Sequence, residues 1–377
     1  MTSRRGDERA AERTDLLVVG AGIVGLAHAV HAVARGARVT VVERSPRAAG
    51  ASVRNFGHGC VTAQAGTALS YAMASRAEWL RLAKAAGFWV RDAGTVVVAA
   101  ADDEYAVLAD LAAERGDDVV LLDGADVRAR VPVADPVVGG AWLPLDVRVD
   151  AREAPAAIAA WLAAAGVTFH WSTSVLAIEG DEVRTSRGVL RADRIVVAVG
   201  HDVDRLYPDI AAAHGIRRCG LHMLGLRPSA PADIAPAVLT GYSLLRYDAF
   251  ALSPALPGVR ERLAADDPDG TEAGLNLMFT QRPDGDIVLG DTHSYSDMVS
   301  PFRDEAYDEL LLRHAHRLFG PRDLRIRERW RGVYASAPEP FLVALPAPRL
   351  AIASVTAGIG MTTAFGFAEH VLDRLLG

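Results

Sequence analysis

The chain has 377 residues, 50% of them hydrophobic and 23% charged, which is enough to bury a large core and implies two compact units. A formal charge of −7 argues against global steering to nucleic acid or an anionic membrane, so an anionic small molecule would need a local arginine cluster. Only two cysteines occur, Cys60 and Cys219, without CxxC spacing or a neighbouring His pair; this excludes a disulfide framework or structural zinc, implies no metal, and fits reduced thiols in the cytoplasm.

Residues 1–14 have no apolar periodicity and are expected to fray. Residues 15–20, DLLVVG, read as a buried parallel strand. Gly20-Ala21-Gly22-Ile23-Val24-Gly25 follows and opens a helix that Gly36 closes. Residues 38–43, RVTVVE, form the second strand, ending in Glu43 and Arg44. In such a unit Gly20 permits the tight turn, Gly22 lets the backbone approach a pyrophosphate, and Gly25 allows close helix–strand packing. Backbone N–H groups at the helix start, from Ile23 and Val24, face the phosphates. Glu43 lies 18 residues after Gly25, where a carboxylate meets a ribose hydroxyl. The same pattern explains the apolar run 16–30 better than a signal peptide does, and no run reaches the roughly 18 apolar residues of a membrane span.

Further along, residues 65–86 and 151–166 read as helices, and 193–200, DRIVVAVG, as a buried strand ending at Gly200. The segments 216–228, 239–252, 274–281 and 286–293 read as strands, with Pro283-Asp284-Gly285 as a hairpin turn. Residues 303–319 read as an amphipathic helix. Near the end, the strand 349–354 leads through Thr356-Ala357-Gly358-Ile359-Gly360-Met361-Thr362 into a helix over 363–375. Three distant segments returning to one nucleotide-binding layer suit a long flavin cofactor better than a nicotinamide nucleotide, and no second complete GxGxxG with a following acid is present.

The GAGIVG turn, the loop Gly50-Ala51-Ser52-Val53-Arg54-Asn55-Phe56-Gly57, the DRIVVAVG strand and the AGIGMT turn resemble the D-amino-acid oxidase and sarcosine oxidase superfamily along essentially the whole chain. The stretches SVRNFG, IRRC, LLRYDAF, MFTQRPDGDIVLGDTHSYSD, ERWRGVYASAPEP and TAGIGMTTAFGFAEH are similar to the subgroup associated with phosphonate breakdown. This resemblance implies an α/β (α+β overall) fold. A discontinuous Rossmann-like FAD-binding domain would comprise 1–90, 145–215 and 325–377, and an antiparallel-sheet substrate domain 91–144 and 216–324. It implies oxidation of a C–N bond of a small anionic amine, foremost an aminoalkylphosphonate, with hydride transfer to flavin N5 and oxygen or another acceptor taking the electrons. A D-amino-acid or N-methyl-amino-acid substrate is the alternative; a non-catalytic FAD-binding subunit of a larger dehydrogenase is another.

The expected cofactor contacts are Gly20, Gly22, Ile23, Val24, Gly25, Glu43, Arg44, Ser52, Arg54, Asn55, Val175, Gly200, Gly332, Gly358, Ile359, Gly360, Met361 and Thr362. Gly332 stands where the resemblance places a flavin-linked cysteine, two residues before Tyr334, so FAD is expected to be non-covalent. Arg54 and His58 are placed by their loop near the flavin, and the resemblance makes Tyr334 a further catalytic candidate. For the anionic group the candidates are Arg217, Arg218, His222, Arg246, Tyr247 and His293, with the pair Arg246-Tyr247 preferred because an aromatic neighbour desolvates an ion pair. Strand alternation sets His222 and Leu224 on one face and Leu221 and Met223 on the other. Lys84, the single lysine, falls in the helix 65–86 on an exposed face, which argues against lysine-assisted oxygen activation.

Overall fold

A computed structural model describes residues 13–134, 136–229, 233–320 and 323–377. The first strand, Thr14–Val19, pairs in parallel with Val39–Val42 on one side and Gly188–Val197 on the other. Leu350–Ala357 extends this layer beside Gly188–Val197, and Thr168–His170 extends it beside Val39–Val42. These strands are almost uninterrupted Val, Ile, Leu and Ala, as burial on both faces requires. The expected fraying of residues 1–14 mostly concerns residues outside the described ones, but Arg13 bonds Asp181 and Asp193 and Thr14 opens the sheet.

Three helices cover one face of this layer. Ile23–Ala34 packs on Gly360–Leu376, which packs on Gly66–Ala86. The close approach is specified chemically. A Cβ on Gly366 would stand 2.6 Å from Tyr71 backbone atoms. Ser75 Oγ accepts from the Phe365 and Gly366 N–H groups, and buried Trp79 donates to the Met361 carbonyl at 2.7 Å. The start of the C-terminal helix is thereby fixed against the helix that carries Lys84, which is exposed.

The other half of the molecule is mainly antiparallel. Arg217–Pro228 pairs with Ile287–Gly290, which pairs with Met278–Gln281; Ala237–Leu239, Thr95–Ala99, Gly139–Leu143 and Val120–Asp123 continue the layer. One strand of 24 residues, Leu324–Ala347, joins the two halves. Its first part pairs with Arg217–Pro228, from Pro228↔Leu324 to Arg217↔Ser336. Its second part pairs with Leu350–Ala357, after a register shift between Ser336 and Phe341.

The expected helices are present at Gly66–Ala86, Ala154–Ala164, Glu305–Phe319 and Gly360–Leu376. The expected strand over 239–252 is corrected. Only Ala237–Leu239 is extended, and Gly241–Leu244 and Asp248–Leu252 are short helical turns. Thr240 caps the first of them reciprocally with Ser243, a hydroxyl arrangement that favours helix initiation over strand continuation.

Gly20 has φ +105°, and a Cβ there would lie 2.4 Å from the Ala198 carbonyl oxygen. A Cβ on Gly25 would lie 1.9 Å from the Gly20 carbonyl oxygen. Backbone cannot yield at such distances, so Gly25→Ala is expected to cost about 3 kcal/mol or more. Urea unfolding of the cofactor-free protein checks this; an unchanged midpoint would contradict the packing account.

Candidate active site

A cavity of about 1020 Å³ runs from the first glycine turn to the last. At its near end are Gly20, Gly22, Ile23 and Val24, with Glu43 and Arg44 from the end of the second strand. Glu43 Oε2 accepts from Ala21 N–H at 2.9 Å and Oε1 from Ser45 N–H at 2.8 Å. The carboxylate is thus locked in orientation, and each oxygen retains a lone pair for a hydroxyl donor. Arg44 is paired with Asp202, a buried acid that also binds Arg205 and Arg218.

Ser52 Oγ accepts the Ile23 N–H at 2.8 Å, so its own hydroxyl hydrogen is available to an acceptor in the cavity. Ile23 therefore contributes to the site through Ser52 and not by its own N–H. Asn55 lines the cavity but spends its amide locally, donating to the Ala51 carbonyl and accepting from Gly57 N–H, which fixes the loop. Arg54 lines the cavity, is exposed, and forms no ion pair among the described residues. Val175, Gly200 and Gly332 complete the wall toward Gly358, Ile359, Gly360 and Met361. Gly358 has φ +74°, and a Cβ there would press on the Tyr334 ring at 2.9 Å.

The far end is polar. Arg246 follows the capped turn at Thr240, and its Ser243 is tied through Asn276 to Asp291: Ser243 Oγ donates to Asn276 Oδ1 at 2.7 Å and Asn276 Nδ2 donates to Asp291 Oδ1 at 3.2 Å. The Arg246 guanidinium donates to Tyr334 OH at 2.5 Å and to Tyr295 OH at 3.1 Å. Burial raises the pKa of both phenols, so both are neutral, and Arg246 has no carboxylate ion-pair partner among the described residues. His293 Nδ1 donates to the Gly274 carbonyl at 2.9 Å, and burial together with Arg246 lowers its pKa to about 3, so the ring is neutral. Tyr247 is deeper, with its hydroxyl 3.7 Å from Met278 Sδ.

Several expected residues are not brought to the cavity. His58 points away and is held in a buried network: its Nε2 meets Thr95 Oγ1 at 2.7 Å and Asp146 Oδ2 at 3.2 Å, while Asp146 Oδ1 accepts Val61 and Thr62 N–H. Thr362 is taken by the same loop, accepting Cys60 N–H at 3.1 Å. His222 lies on the opposite face of the sheet, against Asp308 and the Tyr307 ring, while its neighbour Leu221 lines the cavity. Gly25 acts in packing and does not reach the cavity. Arg218 is consumed by Asp202 and Asp204, and Arg217 donates to the Tyr295 carbonyl from the exposed surface. Asn276, Asp291 and Tyr295 were not anticipated; the GDTHSY stretch after the hairpin strand was the available signal. His58, Cys60 and Asp146 come close enough together to hold a metal ion in geometric terms, but the Asp146 oxygens are already filled by backbone N–H and Thr95. A second cavity, of about 790 Å³, shares no wall with the first; of its arginines, Arg91 is engaged by Asp233 and Arg148 by the Gln281 and Ile234 carbonyls.

Residues 15–374 match the family of FAD dependent oxidoreductases termed DAO, and the chain belongs to that family. No curated protein matches it by sequence. Among solved structures, glycine oxidase from Geobacillus kaustophilus is 19% identical, with a TM-score of 0.77 over 97% of this chain and 95% of that one. L-proline dehydrogenase from P. horikoshii is 19% identical, with a TM-score of 0.77 over 96% and 93%. Iminodiacetate oxidase from Chelativorans sp. BNC1 is 17% identical, with a TM-score of 0.74 over 96% and 95%. These likenesses establish a shared fold. The family is FAD-dependent, and the cavity suits that cofactor: a glycine-walled channel, an oriented carboxylate at one end and a free hydroxyl donor midway. No helix among the described residues is long and apolar enough to cross a membrane.

Replacing Glu43 by Ala is expected to weaken FAD binding about 10- to 100-fold, the worth of one or two charge-assisted hydrogen bonds. Flavin fluorescence titration of the stripped protein measures it; unchanged affinity would remove Glu43 from the cofactor site.

Proposed function

We propose that this enzyme oxidises the C–N bond of a small amine carrying an anionic group, giving an imine that hydrolyses to an aldehyde and an amine. The observation that carries this reading is Arg246. It lines the cavity beside Tyr334, is oriented by two neutral phenols, and forms no direct ion pair with a carboxylate among the described residues, Asp291 acting on it only at longer range. A partly buried guanidinium with no directly bonded carboxylate is costly to maintain and is suited to a forked grip on phosphonate or carboxylate. Tyr247, its chain neighbour, also lines that end of the cavity.

In this reading the residues of 1–90, 145–215 and 325–377 hold FAD, and those of 91–144 and 216–324 hold the substrate. Gly20, Gly22, Val24, Glu43, Arg44, Ser52, Val175, Gly200, Gly332, Gly358, Ile359, Gly360 and Met361 face FAD, which supplies the two-electron acceptor when bound. With no cysteine or histidine side chain among the cavity residues of the Gly332 and Ser52 loops, FAD is held non-covalently, and acid precipitation releases it intact. Colour retained in the pellet would contradict this.

Among anionic amines, the segments from SVRNFG to TAGIGMT favour an aminoalkylphosphonate, N-alkylated or not. Anaerobic bleaching of the flavin by 2-aminoethylphosphonate and its N-methyl forms, and not by D-alanine or sarcosine, is the expected result. Bleaching by the amino acids alone would keep the chemistry and replace phosphonate by carboxylate. Bleaching by none, with FAD bound, would move the chain to a non-catalytic subunit. Arg246→Met should lower kcat/KM for the anionic amine about 100-fold, through loss of charge-assisted hydrogen bonds. Lys84 is exposed on a helix, so Lys84→Met should leave reoxidation by oxygen unchanged, as stopped-flow kinetics would show.

A further inference from the structure

The far end of the cavity has a second pole. Asp291 is buried and lines the cavity. Its Oδ1 accepts from Asn276, and its backbone N–H and carbonyl are both paired with Asn276. Its Oδ2 stands 4.0 Å from His293 Nε2. His293 Nδ1 faces the Gly274 carbonyl and must carry the ring hydrogen, so Nε2 is a lone-pair acceptor. Two acceptors therefore face one another across a gap too long for a hydrogen bond between them. A single nitrogen donor set about 2 Å off the line joining them would lie about 2.8–3.0 Å from each, the ordinary N–H···O and N–H···N range.

We infer that Asp291 and His293 bind the substrate's protonated amine, and that Asp291 takes its proton before oxidation, so that the enzyme selects zwitterions with an ammonium at this pair and an anion at Arg246. This rests on the reading of the site given above. In the step, one N–H bond of the ammonium breaks, its electron pair stays on nitrogen, and the hydrogen forms an O–H bond on Asp291 Oδ2. His293 keeps a second N–H in place as a neutral acceptor. Ammonium and carboxylate become amine and carboxylic acid, so no net charge is created in a buried site. An amine must be neutral to be oxidised; the far end has one other lining carboxylate, Asp248, which is exposed and forms no ion pair with His293 among the described residues.

The charged and titratable groups facing Asp291 are His293 from its own segment, Arg246 and Tyr247 from the turn after Leu244, and Cys219 from the strand Arg217–Pro228. Burial raises the Asp291 carboxyl to about 7, against the opposing effect of Arg246. A group with a raised acid pKa is a carboxylate only above that value. Affinity for an ammonium is thus present above about pH 7 and lost as pH falls through it.

The test uses the FAD-loaded enzyme and ligands without an α C–H, which bind but cannot be oxidised. Two matched pairs serve: 2-aminoisobutyrate with pivalate, and 2-amino-2-methylpropylphosphonate with neopentylphosphonate. Flavin spectral titration gives each Kd. We expect the amine of the better-binding pair to be favoured at least 10-fold over its isostere, and Asp291→Asn to erase that preference while leaving the isostere's Kd unchanged. His293→Gln, which keeps an acceptor, should retain most of it. In unaltered enzyme, the 2-aminoisobutyrate preference should fall as pH drops from 8 to 6, a measurement that does not depend on a variant folding. An isostere that binds as tightly as its amine, or a preference indifferent to both Asp291→Asn and pH, would overturn the inference and leave the anion grip standing. Binding by no member of either pair, with no amine bleaching the flavin, would overturn the function and the inference together.

Discussion

The strand Leu324–Ala347 is the constraint on which the site depends. Its N-terminal part is bonded to Arg217–Pro228 in the antiparallel half, and its C-terminal part to Leu350–Ala357 in the parallel half. Gly332 and Tyr334 sit on the first part, and the strand next to the second part ends in the Gly358 turn. The Tyr334 ring therefore meets Gly358 directly, at a distance no side chain on residue 358 would permit. The same hydroxyl accepts from Arg246. Through one side chain the parallel half and the antiparallel half share a wall of the cavity, and the register of one strand sets the separation between them.

Electrostatics then divides the cavity. Near the first glycine turn, charges are mutually satisfied: Asp202 is surrounded by Arg44, Arg205 and Arg218, and Glu43 is held by backbone N–H groups. At the far end, satisfaction stops. Arg246 is bonded only to neutral phenols, and Asp291 only to an amide. Burial of one unpaired cation and one acid in the same chamber is unfavourable in isolation. A ligand of opposite polarity at each end relieves both, which is why the asymmetry between the two ends is a statement about substrate and not only about folding.

The nucleotide end was legible because its signals are local. Gly20, Gly22, Gly25 and Glu43 lie within 24 consecutive residues, and their spacing follows from one strand, one turn and one helix. The family was legible for the same reason at four separated stretches. The far end of the cavity was legible only in part. Arg246, Tyr247, His293 and Tyr334 were named, and all four line the cavity. His222 was placed on the correct strand but faces the other layer, since alternation tells which residues share a face and not which face meets the cavity. His58 and Thr362 lie within two residues of Phe56 and Met361, which do line the cavity, yet Asp146, from a distant segment, draws the loop inward. The strand assigned to 239–252 failed because the Thr240–Ser243 cap outweighed an apolar run. Asp291 passed unnoticed because a single Asp in a turn carries no pattern; only the tertiary approach of Asn276 and His293 gives it meaning.

The most direct measurement is a crystal structure of the FAD-loaded enzyme. The account requires the adenosine end of FAD at Glu43, its middle at Ser52 and its ring between Gly332 and Gly358, with Arg246 and Asp291 on the open side. A ring lying elsewhere, or one whose open side faces away from Arg246, would contradict the link between the two halves on which the proposed chemistry stands.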